Sequence, residues 1–153
     1  MSWPSSLRSG IERRALGAGL LAVALLRPAR AERSGLHEAI LAFTGGAEPA
    51  EGQVTLEIPP LVENGNTVPV TIAVESPMTE EAHVRRIALF NERNPQPNVV
   101  TARLGPRAGR ARLATRMRLA TSQRLVAVAE MSDGRFRSAS ADVIVTLAAC
   151  VEG

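Results

Sequence analysis

Cysteine is almost missing from this sequence: 153 residues hold one, Cys150, with only three residues after it. A lone thiol excludes an internal disulfide, a CxxC redox pair, a CxxCH haem attachment and a cysteine-based zinc site. Aromatic residues are nearly as scarce, with three Phe, one Trp and no Tyr. A core made from this composition is one of Val, Leu, Ile and Ala, and a nucleic-acid surface would lack rings for bases to stack on. Long apolar runs are missing too. The run "ALGAGLLAVALL", Ala15 to Leu26, is shorter than the roughly 20 residues that cross a bilayer, so no stable membrane insertion is expected. Carboxylates also vanish over one stretch: from Arg93 to Arg124 there are eight arginines and no acid.

What is present at the front has the layout of an export signal. Arg13 and Arg14 precede the apolar run, and Ala29 and Ala31 flank Arg30 in an A-x-A pattern, which places cleavage after Ala31. Paired arginines before a weakly hydrophobic run point to the twin-arginine route and hence the periplasm, although the general secretion route accepts a similar segment. The expected organisation is a signal peptide over 1–31, a domain over 32–147 and a carboxyl-terminal arm over 148–153. Five of the 18 basic residues and one of the 15 acidic ones fall in 1–31, which leaves 13 and 14. The basic character therefore belongs mostly to the leader, and the overall charge gives no case for nucleic-acid binding.

The mature part opens with one amphipathic helix. Ser34 is placed to cap it, Leu36, Ile40 and Phe43 recur at helical spacing, and Gly45-Gly46 end it. Beyond Gly52 the period changes to two. "TVPVTIAVES" puts Val68, Val70, Ile72 and Val74 on one face, and "ARLATRMRLA" sets Leu113, Thr115 and Met117 against Arg112, Arg116 and Arg118. "RLVAVAEM" and "ADVIVTLA" are apolar enough for central strands. With the turn signals between them this makes about seven short strands and no intervening helix. The expected fold is all-β: an immunoglobulin-like antiparallel sandwich with one amino-terminal helix. A mature chain of this length is large enough to bury one core.

Candidate sites divide into ordinary features and one unusual one. Arg112, Arg116 and Arg118 share an outer strand face, which is either a solvated sheet face or a surface for an anion or acidic partner. His37 and His83 lie far from Cys150 in sequence and have no metal-ligand spacing around them, so no metal or cofactor is expected. No nucleophile sits beside a base in a recognisable motif, so an enzyme is not expected either. Asp133-Gly134 reads as a hairpin turn. "VENGN" reads as a loop in which Asn64, Gly65 and Asn66 suit positive φ. Cys150 lies three residues beyond Leu147, where the last strand should finish, so it can stand at most ~10 Å from the sheet. Its thiol is either a handle for other proteins or an incidental group on a frayed end.

The stretches "IPPLVENGNTVPVTIAVESPMT", "NPQPNVVTARL", "TRMRLATSQRLVAVAEMSDG" and "VIVTLAAC" resemble the SoxY family, the sulfur carriers of the periplasmic thiosulfate-oxidising system. The likeness runs from the helix near Leu36 to the tail. It implies a carrier that is not an enzyme, paired with a SoxZ-like subunit. It also implies that Cys150 is the covalent attachment point, loaded oxidatively with thiosulfate by a haem protein and then worked on by further periplasmic enzymes. Asn64 and Asn66 are expected at the partner surface. The family tail is glycine-rich, GGCGG; here the arm residues are Ala148, Ala149, Val151 and Glu152, stiffer and carrying a negative charge that opposes both a thiolate and an anionic cargo. The alternative role is an immunoglobulin-like interaction module that recruits a partner to a periplasmic redox enzyme without using its thiol.

Overall fold

The computed structural model describes residues 28–147. The helix α1 runs Pro28–Thr44, longer at its start than the sequence reading, so Ser34 falls inside it rather than at its cap. Pro28 has the fixed φ that suits a first helical position, and Ala29, Arg30, Ala31, Glu32 and Arg33 are mostly strong helix formers, so nothing before Ser34 stops the helix. The expected cleavage point after Ala31 lies within this helix, and the rest of the leader lies outside the described residues. The helix ends as expected: Gly45 and Gly46 take φ of 71° and 95°, and the Gly46 N–H donates to the Leu41 carbonyl at 2.8 Å, closing the last turn with a residue type that carries no Cβ penalty there.

Nine strands follow among the described residues: β1 Ala50–Glu51, β2 Val54–Glu57, β3 Leu61–Asn64, β4 Val68–Val74, β5 Val84–Asn91, β6 Asn98–Arg103, β7 Arg112–Met117, β8 Gln123–Met131 and β9 Phe136–Leu147. They form two sheets. The larger has the order β1-β9-β8-β5-β6, with β3 lying along the later half of β9, and the smaller has the order β2-β4-β7. The sandwich is the expected one, but about seven strands become nine. The two extra pieces, β1 and β3, also pair parallel to β9 in an otherwise antiparallel fold. Their partners stand more than 80 residues away in the chain, so no local period could announce them.

Between the sheets the core is aliphatic. Val68, Val70, Ile72 and Val74 on β4 are all buried, and they face Ile87, Leu89, Leu125 and Ala127 of the larger sheet in one cluster. The outer face of the larger sheet is covered by α1, whose Leu36, Ile40 and Phe43 pack on Ala88, Phe90, Val126, Val128 and Phe136. All three phenylalanines meet there. The Phe43 ring stands edge-on to Phe90 at 5.7 Å and to Phe136 at 6.1 Å between centroids. Burial on both faces explains why β5 and β8 lose the polar alternation seen on β4 and β7. Arg86 fixes the end of the helix over this cluster: it lies 4.3 Å above the Phe43 ring, donates to the Phe43 carbonyl at 3.2 Å and pairs with Glu130. No described helix is long and apolar enough to cross a membrane.

Candidate functional site

The final strand, β9, delivers the chain to its tail. Its last paired residue is Leu147, opposite Asn64. Cys150, Ala148, Ala149, Val151 and Glu152 lie outside the described residues. What the structure does describe is the root from which they leave, and that root is held from both flanks, by β3 with its adjoining residues and by Ser122. The Gly65 N–H donates to the Leu147 carbonyl at 3.0 Å, the Thr146 hydroxyl donates to the Glu63 carbonyl at 3.2 Å, and the Val145 N–H donates to Ser122 Oγ at 2.8 Å. One residue earlier the Ile144 N–H donates to the Pro60 carbonyl at 2.9 Å.

The segment "VENGN" thus has a different role from the one its composition suggests. Val62 to Asn64 belong to β3 rather than to a loop, and none of residues 64–66 has positive φ. The turn is closed instead by the Asn64 side chain, whose Oδ1 accepts the Asn66 N–H at 2.9 Å. Gly65 is buried and uses both its backbone groups: its carbonyl accepts the Leu119 N–H at 2.8 Å while its own N–H holds Leu147. One glycine therefore ties the end of β9 to the segment just beyond β7. Asn64 and Asn66 are exposed beside this root.

A polar network supports the same end of the sandwich. Asn91, 1 % exposed, donates from Nδ2 to the Gln96 carbonyl at 2.7 Å and accepts the Asn94 N–H at 2.8 Å. Asn94 Oδ1 accepts from the Ala120 N–H at 3.0 Å and from Gln123 Nε2 at 2.8 Å, and its Nδ2 donates to the Arg118 carbonyl at 2.7 Å. These amides satisfy one another and fix the loops 92–97 and 118–122 around the root. Sequence reasoning missed them. "NPQPN" announced a turn, but an asparagine that closes a β-strand and is buried looks the same in sequence as one on a surface.

Among the described residues three large apolar side chains stand exposed, and all lie at the edge or end formed by β3 and β9: Leu61 at 58 %, Ile144 at 60 % and Leu147 at 67 %. Leu61 and Ile144 are register partners on the outer face. The remaining candidates are dispersed. His37 pairs with Glu48 at 3.3 Å, and His83 Nδ1 lies 3.1 Å from the Thr79 carbonyl. No group of three or more His, Cys, Asp or Glu is placed to hold a metal ion among the described residues. Asp133-Gly134 forms the hairpin turn between β8 and β9, with Gly134 at φ 83° and the Asp133 carboxylate accepting from the Arg135 N–H at 2.9 Å. Arg112 and Arg116 are exposed on the outer face of the smaller sheet, as the alternation required.

Arg124 holds Asp142 on β9 through two hydrogen bonds of 2.8 and 3.0 Å. These bonds, with the guanidinium charge, keep the Asp142 carboxyl below its ordinary value near 3.8. A carboxyl depressed in the folded state stabilises fully above that ordinary value, and the contribution disappears as the pH falls through the lower folded value. Asp142→Asn is therefore expected to lower stability slightly at pH values above 3.8, a small loss because the pair is exposed, and the difference from wild type should vanish as the pH falls through the depressed folded value, which flattens the acid-side slope. Urea unfolding midpoints across an acid series measure it, and an unaltered slope would show that the pair contributes nothing.

Comparison with known proteins gives the site its context. The structure of the sulfur carrier protein SoxY from Chlorobium limicola f thiosulfatophilum matches with a TM-score of 0.63 and 32% identity, covering 75% of this chain and 99% of that one. A superoxide reductase (neelaredoxin) from Ignicoccus hospitalis matches at TM-score 0.55 and 17% identity over 61% of this chain and 80% of its own. At that identity the likeness concerns the fold alone. No curated protein matches the sequence. The family model for sulfur oxidation protein SoxY matches residues 40–150, which takes in the sandwich, the clamped root and, at its last position, Cys150. The chain belongs to the SoxY family.

Proposed function

We propose that this protein is a periplasmic sulfur carrier that holds thiosulfate-derived intermediates covalently on Cys150 and catalyses nothing itself. The observation that carries this reading is where the family match ends: on the only thiol of the sequence, three residues past a strand end tied down by Gly65, Thr146 and Ser122. A carrier needs a rigid body and a short tether, so that an enzyme can dock on the one and receive the other. Three residues span at most ~10 Å.

In the loading step the Cys150 thiolate and thiosulfate lose two electrons to a haem enzyme and form a sulfur–sulfur bond, giving a cysteine S-thiosulfonate. Water then cleaves the terminal sulfur–sulfur bond, sulfate leaves with a proton, and a persulfide stays on Cys150. The persulfide sulfur is oxidised further while still attached, its electrons passing to a second periplasmic redox enzyme and water supplying the oxygen with release of protons. Each step needs a nucleophilic, reachable sulfur and a different enzyme. Pairing with a SoxZ-like subunit and export by a twin-arginine signal over 1–31 complete the reading. The test is the intact mass of the paired protein after incubation with thiosulfate and the haem enzyme: adducts are expected, and an unmodified mass under turnover overturns the carrier role. The second reading, an interaction module, is favoured by the tail itself, where Ala148, Ala149, Val151 and Glu152 stand in place of glycines.

Asn64 and Asn66, exposed beside the root, are proposed contacts of the paired subunit. Asn66→Ala leaves the Asn64 turn bond to a backbone N–H in place, so any change reports on the surface rather than on the turn. It is expected to weaken pairing by roughly 1 kcal/mol, the size of one hydrogen bond. Titration calorimetry that finds pairing intact removes Asn66 from the interface.

A further inference from the structure

We infer that the arginine ridge on β7 and its flanks is the docking surface for an acidic rim on the enzymes that act on Cys150. The inference rests on the carrier reading. Arg107, Arg110, Arg112, Arg116 and Arg118 are all exposed, and none of their side chains meets a carboxylate among the described residues. The three strands of the smaller sheet contain one acid, Glu57, on the opposite edge strand. An edge strand is commonly charged to block strand addition, but one or two charges of either sign do that. Five of one sign in a row leave a positive potential that a negative protein surface complements.

The dimensions select the partner. Arg112 and Arg118 are six residues apart, roughly 20 Å along an extended strand, too wide for a small oxyanion to bridge. A nucleic acid is disfavoured because no aromatic side chain interleaves with the arginines, and all three phenylalanines meet in the cluster between α1 and the larger sheet. A protein rim carrying Asp and Glu fits both the length and the sign. The ridge also ends in the right place. Arg118 precedes Leu119, whose N–H bonds to the Gly65 carbonyl, and the Gly65 N–H bonds to the Leu147 carbonyl. One glycine thus separates the end of the ridge from the root of the arm. An enzyme that takes in Cys150 must bring its entrance within ~10 Å of Leu147, so its rim lies against the arginines nearest that end.

The test uses the complete mature chain with its paired subunit and measures loading of Cys150 by the thiosulfate-coupling haem enzyme over a range of salt. Arg116→Gln with Arg118→Gln, the two arginines nearest the root, is expected to lower kcat/KM on the order of tenfold at low ionic strength, through KM with kcat retained, and to flatten the salt dependence. Alkylation of Cys150 by iodoacetamide should proceed at the wild-type rate. Arg135→Gln, an exposed charge just before β9 and at the opposite end of that strand from Leu147, is the control and should change little. An unchanged kcat/KM and salt slope in the double variant, or an equal fall in the control, overturns the inference and leaves the carrier reading intact. Loss of pairing with the subunit assigns the ridge to that interface and also overturns it. A wild-type protein that takes up no adduct overturns the carrier reading, and this inference with it.

Discussion

A Cys150→Ser chain, paired with its partner subunit and given thiosulfate and the haem enzyme, takes up no sulfur and keeps the mass of the bare polypeptide. The expected effect is complete loss, because the sequence offers no second thiol. A serine hydroxyl stays protonated at neutral pH and is no substitute for a thiolate as a sulfur nucleophile. The substitution should leave stability untouched, since residue 150 follows the last residue of β9 in the chain and the bonds described at the root are made by Gly65, Glu63 and Ser122 to residues no later than Leu147. A melting curve that overlays the wild type, beside a mass spectrum without adducts, separates loss of the attachment point from loss of the fold. Adducts that persist on the serine protein would place the cargo elsewhere and remove Cys150 from the mechanism.

The largest effect on stability is expected from Phe90→Ala. Phe90 is fully buried one residue before the end of β5, with the Phe43 ring edge-on at 5.7 Å and Ile40, Ala88 and Val128 around it. Removing a buried phenyl ring costs about 3–5 kcal/mol through lost transfer energy and the cavity left behind. A domain of this size has a total stability of roughly 5–15 kcal/mol, so the variant should approach the unfolding threshold. The cavity opens between α1 and the larger sheet, so the helix is the element that loosens. Urea unfolding followed by circular dichroism should show a large fall in midpoint, and amide exchange should rise first in α1. Loading of Cys150 per folded molecule should survive, because the bonds that hold the root involve Gly65, Glu63 and Ser122 and none of this cluster. A shift under 1 kcal/mol would mean that the helix adds little to the sandwich, with its apolar face redundant.

The two results separate what each part of the molecule is for. On the proposed carrier reading the phenylalanine cluster serves the body and the thiol serves the tether, so neither should depend on the other's chemistry. The ridge of arginines adds a third part, an address, if the salt dependence behaves as expected.

Much of this was written in local patterns. The alternation of Val68, Val70, Ile72 and Val74 required one buried face, and each of those residues is buried. The spacing of Leu36, Ile40 and Phe43 required a helix packed on something, and Gly45-Gly46 required its end. Asp133-Gly134 required a turn. These hold because a strand repeats every two residues and a helix every 3.6, so burial on one side leaves a local trace. The likeness to the SoxY family was also legible, in runs of residues long enough to be specific, and it pointed to Cys150 before any coordinates.

What only the tertiary structure decided is how distant segments meet. The parallel pairing of β1 and β3 with β9, the capture of Leu147 and Leu119 by opposite sides of Gly65, and the bond from Gln123 to Asn94 all join residues remote in the chain. The start of α1 at Pro28 shows the converse limit: a good capping residue does not begin a helix when the residues before it are good helix formers. A period records which side of an element is buried, but not which partner buries it. Partners are chosen by the global closure of the two sheets, where the backbone groups of one glycine can be satisfied only by whatever the fold brings within 3 Å of them.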